Sequence, residues 1–145
     1  MSKRIVVIDD HDVVRQGVRL ILRARSDWPI VAEGASGMEA IEKTKQLEPD
    51  LLILDISMPG KDGLEVLAEL RQEKVSAQVL ILTMHDSKEL ATRVSRLGAS
   101  GYVVKTHAGR DLLRALETIF QGGTFFPHEL ETGESPTAED TKSPG

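Results

Sequence analysis

Five short apolar runs punctuate the chain: Ile5-Val6-Val7-Ile8, Ile30-Val31-Ala32, Leu51-Leu52-Ile53-Leu54, Val79-Leu80-Ile81-Leu82 and Tyr102-Val103-Val104. Runs of this length, bounded by polar residues, predict buried strands. Between them the apolar residues recur at helical spacing. Val14, Val18, Ile21 and Leu22 mark a first amphipathic helix. Ser36-Gly37-Met38-Glu39 has the form of a capping box and opens a helix carrying Ile41 and Leu47, which Pro49-Asp50 stops. Met58-Pro59-Gly60 predicts a turn, and the helix after it is expected to turn Leu64, Leu67 and Ala68 inward. Asp86 and Glu89 are candidate caps for a helix carrying Leu90, Val94 and Leu97, with Gly98 as its end. Leu112, Leu113, Leu116, Ile119 and Phe120 define a last helix, stopped by Gly122-Gly123.

Strand and helix therefore alternate. Such a pattern predicts a parallel sheet covered on both faces, with right-handed crossovers. The run at 51–54 is the most apolar and is expected at the centre. In open sheets of this kind, ligands bind beyond the carboxyl ends of the strands, where the strand order reverses. The polar residues that follow the strands should then decide function.

Those residues are Asp9 and Asp10 after the first run, Asp55 after the third, Thr83 after the fourth and Lys105 after the fifth. Any one of them alone reads as a turn, cap or solvated charge. Five of them converging on one mouth read as a site. Crowded carboxylates repel one another unless a cation is present, and an all-oxygen donor set suits Mg²⁺, which keeps several waters and accepts phosphate oxygens. A lysine and a threonine hydroxyl beside them suit a phosphoryl group, so the set matches phosphoryl transfer to a carboxylate nucleophile. Asp50, Asp86 and Asp111 follow no strand and are expected to be caps or surface charges. His11 is expected in a loop and Trp28 and the methionines in packing, while composition leaves Tyr102 undecided, since an aromatic within the fifth run is ordinary core-edge material.

Composition narrows the field. The 145 residues carry 23 acidic and 18 basic side chains, a net charge of −5. Four of those five net charges lie after residue 127, where Glu129, Glu131, Glu134, Glu139 and Asp140 face only Lys142. That stretch is also rich in Ser, Thr, Pro and Gly without apolar periodicity. The expected organisation is a domain over 1–127 and a disordered acidic linker or tail over 128–145. No clustered Lys and Arg offer a nucleic-acid footprint, so no nucleic acid is expected to bind this segment. The absence of cysteine excludes disulfides and thiolate chemistry. No apolar run is long enough to span a membrane, so a cytoplasmic protein without membrane contact is expected.

Taken together, Asp9-Asp10-His11, the stretch Asp55-Ile56-Ser57-Met58-Pro59-Gly60-Lys61-Asp62-Gly63, Thr83 and Tyr102-Val103-Val104-Lys105 resemble the response-regulator receiver domain of two-component signalling. The resemblance covers about residues 3–126. The stretch 9–18 and the run Gly101-Tyr102-Val103-Val104-Lys105 are most similar to the subfamily with a LuxR-type helix-turn-helix output. The resemblance implies a flavodoxin-like, doubly wound, five-stranded parallel sheet of order 2-1-3-4-5 with five helices. It implies that Asp55 takes a phosphoryl group from a sensor histidine kinase. Asp10, Asp55 and the Ser57 carbonyl would hold Mg²⁺, with Asp9 acting through a water on the metal. Lys105 and Thr83 would bind phosphoryl oxygens, Tyr102 would be the aromatic switch that turns inward as Thr83 moves, and Ser57 and His85 would tune the lifetime of the phosphorylated state. Such a domain is not a conventional enzyme: it catalyses only its own Mg²⁺-dependent phosphorylation and dephosphorylation. Its output face would be formed by the fourth helix, fifth strand and fifth helix (88–97, Tyr102 and 110–117), with phosphorylation-dependent homodimerisation and control of transcription as results. One departure is Thr106, which stands where many receivers carry proline after the site lysine. A DNA-binding output domain would be expected to follow the acidic segment, and no helix-turn-helix lies within the 145 residues.

Two other readings stand beside this one. Asp10-His11-Asp12-Val13-Val14 fits the haloacid-dehalogenase phosphatase pattern, with Asp10 as nucleophile, Asp12 as acid/base, and Thr83 and Lys105 as later motifs. That family also needs an acidic pair after a later strand, whereas only the helical pattern of 109–121 and the tail follow Lys105, and Asp55 is left without a role. A DNA-binding transcription factor would need a basic face and a helix-turn-helix that these residues do not supply.

Overall fold

The computed structural model describes residues 2–126. The predicted tail at 128–145 lies outside the described residues. Five strands, β1 (Ile5–Ile8), β2 (Ile30–Gly34), β3 (Leu51–Leu54), β4 (Gln78–Thr83) and β5 (Gly101–Val104), form one parallel sheet in the order β2-β1-β3-β4-β5. Five α-helices join them: α1 (Asp12–Leu22), α2 (Gly37–Leu47), α3 (Gly63–Gln72), α4 (Lys88–Arg96) and α5 (Ala108–Phe120), with a short 3₁₀ turn at Lys105–His107 before α5. This is the flavodoxin-like order, and the most apolar run is its central strand.

Every residue of β3 is buried because both faces of the sheet are covered. Alternation along the strand divides the core into two layers. Leu52 and Leu54 pack with Val66, Leu67 and Leu70 of α3 and Ala91 and Val94 of α4, while α2 adds Ala40 and Ile41. Leu51 and Ile53 pack on the other side with Val18 and Leu22 of α1 and Leu112, Leu116 and Ile119 of α5.

Local details correct several expectations. Ala68 is exposed, and Val66 and Leu70 take the inward positions. The reason is the helix start: Asp62 caps α3 in a full capping box with Glu65, which rotates residues 63, 66, 67 and 70 onto the core face. At Ser36–Glu39 the box is only half made. The Ser36 hydroxyl accepts the Glu39 N–H, but the Glu39 carboxylate accepts the Ala35 N–H instead of that of Ser36. Ser87, not Asp86, caps α4 by accepting the Leu90 N–H. Asp111 is neither a cap nor a surface charge: it is buried and held between Arg110 and Arg114, and its hydrogen bond from Arg110 keeps its carboxyl below the usual range.

One element has no counterpart in the sequence pattern. After α5 the chain turns at Gly122 and returns to β5, where Phe125 makes a parallel bridge to Gly101. The Phe125 N–H donates to the Ser100 carbonyl (3.0 Å), and the Phe125 carbonyl accepts the Tyr102 N–H (2.9 Å). Phe125 packs on the α1–α5 side of the sheet and Phe126 on the other, as successive residues of a strand do.

Candidate functional site

Strand register assembles the site. Ile8 pairs with Leu54, so the next residues, Asp9 and Asp55, leave adjacent strands side by side, and the Asp55 N–H donates to the Ile8 carbonyl (3.0 Å). Thr83 pairs with Val104, which brings Lys105 to the same mouth one residue later. Asp9 and Asp55 are 1 % and 2 % exposed, a burial that carboxylates tolerate only with compensation. Lys105 supplies part of it. Its Nζ lies 2.8 Å from Asp9 Oδ2 and 3.3 Å from Asp55 Oδ2.

That compensation is incomplete. Neither Asp9 Oδ2 nor Asp55 Oδ2 receives an aligned hydrogen bond, and Asp10 Oδ1 is in the same position. The lysine therefore acts on the two buried oxygens chiefly as a charge at close range. Burial first, and the Asp9 charge second, push the Asp55 carboxyl above its ordinary range, against the opposing pull of Lys105 and the Ser57 backbone N–H. Donor atoms of Asp9, Asp10, His11 and Asp55 lie within 4.8 Å of one another. An oxygen-rich cluster whose buried carboxylate oxygens are ion-paired but lack hydrogen bonds fits a hard divalent cation.

The raised carboxyl has a consequence for stability. A folded state that keeps the Asp55 proton to higher pH than the unfolded chain loses stability as pH rises from the ordinary aspartate range through that raised value. Asp55→Asn removes this cost. Its melting temperature in metal-free buffer should exceed that of the wild type at neutral pH by roughly 3–5 °C, for an effect on the order of 1 kcal/mol. The advantage should shrink towards zero below about pH 4. Thermal scans at several pH values measure it, and equal midpoints at pH 7 would remove the argument.

The remaining predicted residues lie around this cluster in distinct ways. Thr83 is buried, and its hydroxyl accepts the His85 N–H (3.2 Å). The His85 carbonyl accepts the Tyr102 hydroxyl, which in turn accepts the Ser87 N–H (3.3 Å). Tyr102 is fully buried. Burial holds its phenol above the ordinary range and keeps it a neutral donor. The Ser57 and His85 residues are exposed at the rim. Asp12 pairs with Arg15 on the surface of α1. Every peptide bond among the described residues is trans, including that before Thr106. The ring of His11, read from sequence as a loop residue only, stands against the carboxylates. Its position directly after Asp9-Asp10 was the one available signal.

Comparison with known proteins decides what this site belongs to. The family description of the response regulator receiver domain matches residues 5–117. The chain belongs to that family. Among curated proteins it is similar to the oxygen regulatory protein NreC of Staphylococcus epidermidis, 40% identical over 130 residues, which is 89% of this chain and 60% of that protein. NreC of Staphylococcus aureus is 39% identical over the same shares. This receiver thus spans 60% of the length of those relatives.

Among solved structures, the receiver is similar to a LuxR-family two-component response regulator from Aurantimonas (35% identity, TM-score 0.81, 86% of this chain and 89% of that one). It is also similar to the receiver domain of NarL from Mycobacterium tuberculosis (31%, 0.78, 83% and 98%). A third likeness is the isolated receiver domain of RcsB from Salmonella enterica solved with phosphomimetic BeF3⁻ (28%, 0.82, 88% and 95%). These relatives place the receiver with LuxR-type regulators of two-component signalling.

Proposed function

We propose that Asp55 is the residue that takes the phosphoryl group, from a sensor histidine kinase, and that Mg²⁺ held by Asp10, Asp55 and the Ser57 carbonyl, with Asp9 behind it, is the cofactor. The observation that carries this reading is the pair of buried carboxylates spanned by one lysine, with an oxygen of each left without a hydrogen bond. Bound there, the cation would neutralise charge on the incoming phosphoryl oxygens. Asp55 is the nucleophile because its carboxylate is the one at the central strand, flanked by Asp9 and Lys105. Lys105 holds its ammonium against the acceptor and stabilises the added charge, which needs no reorganisation because the side chain is already in place. The domain is then not a conventional enzyme but the catalyst of its own phosphorylation and dephosphorylation. Ser57 and His85, exposed at the rim, are placed to control access of water and so the lifetime of the product.

The output follows from the backbone links already described. A phosphoryl oxygen would draw the Thr83 hydroxyl away from the His85 N–H by a charge-assisted hydrogen bond. His85 also holds the Tyr102 hydroxyl, so the β4–α4 loop feels the loss directly. The surface formed by α4, β5 and α5 (88–97, Tyr102, 110–117) would shift between two arrangements of differing stability. Homodimerisation through that face, and control of transcription by an output domain in the whole cytoplasmic protein, are the proposed results. One related structure contains RcsB dimers bound to DNA.

The test uses a small phosphodonor and Mg²⁺ without kinase. Intact mass should rise by one phosphoryl group, and Asp55→Asn should abolish the rise. Thr83→Ala should still take the group while showing weaker chemical-shift changes in α4, β5 and α5. Labelling that persists in Asp55→Asn and disappears in Asp10→Asn would refute the assignment.

A further inference from the structure

Arg15 lies one turn into α1 and folds back on the loop that follows β1. Its side chain is 16% exposed, low for an arginine. The guanidinium works in three directions. Nη1 donates to the Asp9 carbonyl, Nη2 donates to the exposed Asp12 carboxylate, and Nε stands 3.4 Å from Glu33 Oε1 on β2. A planar fork can hold three such groups at once, which a single ammonium cannot.

The Asp9 carbonyl is the first beyond the β1–β2 pairing, whose last rung is Ile8 with Gly34. The Asp9 N–H still donates to the Gly34 carbonyl (3.0 Å). With Arg15 on its carbonyl, residue 9 is fixed on both sides. That carbonyl belongs to the peptide joining Asp9 to Asp10, and a rigid peptide plane sets where the next side chain departs. Asp10 depends on this, because its Oδ1 accepts no hydrogen bond that would aim the carboxylate directly. Donor atoms of Asp9, Asp10 and Asp55 nevertheless gather within 4.8 Å of one another. We propose that Arg15 is a positioning residue for phosphoryl transfer: anchored by Asp12 and Glu33, it fixes the Asp9–Asp10 peptide and so aims the Asp10 carboxylate at the cation site beside Asp55. The inference rests on the cation site and phosphoacceptor proposed above and adds a residue that acts on them through the backbone.

The sign of the effect separates positioning from charge. Arg15 is a cation near a cation site, so on charge alone its removal should tighten Mg²⁺ binding. If it were only a surface partner of Asp12 and Glu33, its removal should change little. Loss of a group that orients metal ligands instead weakens binding, typically by roughly 10–100-fold. Arg15→Met keeps the stem and removes charge and donors. By calorimetric titration it should bind Mg²⁺ about tenfold more weakly than the wild type. In the metal-free protein, the ¹³C resonance of the Asp9 carbonyl and the amide resonance of Asp10 should move, reporting the lost hydrogen bond. Arg15→Lys keeps the charge but not the fork, and should also bind Mg²⁺ more weakly, by about threefold or more. It decides the matter if the methionine variant does not fold. Arg19→Met takes a neighbouring charge from the same Glu33 while the Asp9 carbonyl stays held, and its Mg²⁺ affinity should stay within about twofold of the wild type. Unchanged or tighter Mg²⁺ binding in either Arg15 variant, or equal weakening in Arg19→Met, would overturn the positioning role and leave the phosphoacceptor reading intact. Failure of the wild type to bind Mg²⁺, or binding that Asp10→Asn does not weaken, would overturn the cation site and this inference with it.

Discussion

Lys105→Ala should lower the melting temperature by roughly 10–20 °C in metal-free buffer at neutral pH. Its ammonium is the cation that faces both Asp9 and Asp55, and all three side chains are buried. Removing one partner of a buried ion pair typically costs about 3–5 kcal/mol, because the charge left behind has neither water nor a counter-ion. In a domain of this size each kcal/mol corresponds to roughly 3–5 °C. Two rescues distinguish this cause from lost packing. Divalent cation at millimolar concentration should recover much of the deficit, and so should Asp55→Asn in the same chain, since one of the two stranded carboxylates is then neutral. The deficit should also grow with pH, because ionising carboxylates now meet no compensating charge. A Lys105→Ala protein that melts within 2–3 °C of the wild type would mean that water already screens this site.

Gly63→Ala should damage both the fold and the acceptor residue. A Cβ at this position would lie 2.3 Å from the Asp55 carbonyl oxygen and 2.8 Å from the Ile56 Cα, both backbone atoms that cannot swing aside. The same residue closes the loop after Asp55, its N–H donating to the Ile56 carbonyl (2.9 Å). Overpacking of this kind costs about 1–3 kcal/mol, and here the strain is delivered to the peptide that carries the acceptor. The expected result is a midpoint lower by roughly 5–10 °C together with slower labelling by a small phosphodonor. Gly17→Ala is the natural control. Nothing lies within 4 Å of its added Cβ, and alanine in the interior of α1 should stabilise by up to about 1 kcal/mol. If both substitutions behave alike, close approach is not what keeps glycine at position 63.

Much of this was legible in the sequence because the chemistry sits where apolar runs stop. Asp9, Asp55, Thr83 and Lys105 each end or follow a strand whose burial on both faces makes it an uninterrupted apolar run, so the boundary is sharp. Helix faces were less legible. Ala68 and Val66 are both apolar, and only the Asp62 cap, which fixes the first turn of α3, decides between them. Adjacent Asp86 and Ser87 can each cap a helix, and the choice depends on loop geometry held in part by the Tyr102 hydroxyl. Asp111 carries no mark of burial in its neighbours, since Arg110 and Arg114 reach it only after α5 has formed. The bridge at Phe125 is one residue long and has no period to detect.

That bridge bears on how the molecule meets others of its kind. A parallel sheet ends in two open flanks, and an open flank is a template on which a foreign strand can add. On the β5 flank the Tyr102 N–H and Ser100 carbonyl are already taken by Phe125. On the opposite flank, β2 carries Glu33, whose carboxylate is tied to Arg19 and Arg15, so charged side chains line that side. The strand-like return at Phe125 thus closes part of that flank, and a chain cut ahead of Phe125 would leave the Ser100 carbonyl and the Tyr102 N–H open to any extended peptide able to pair with them.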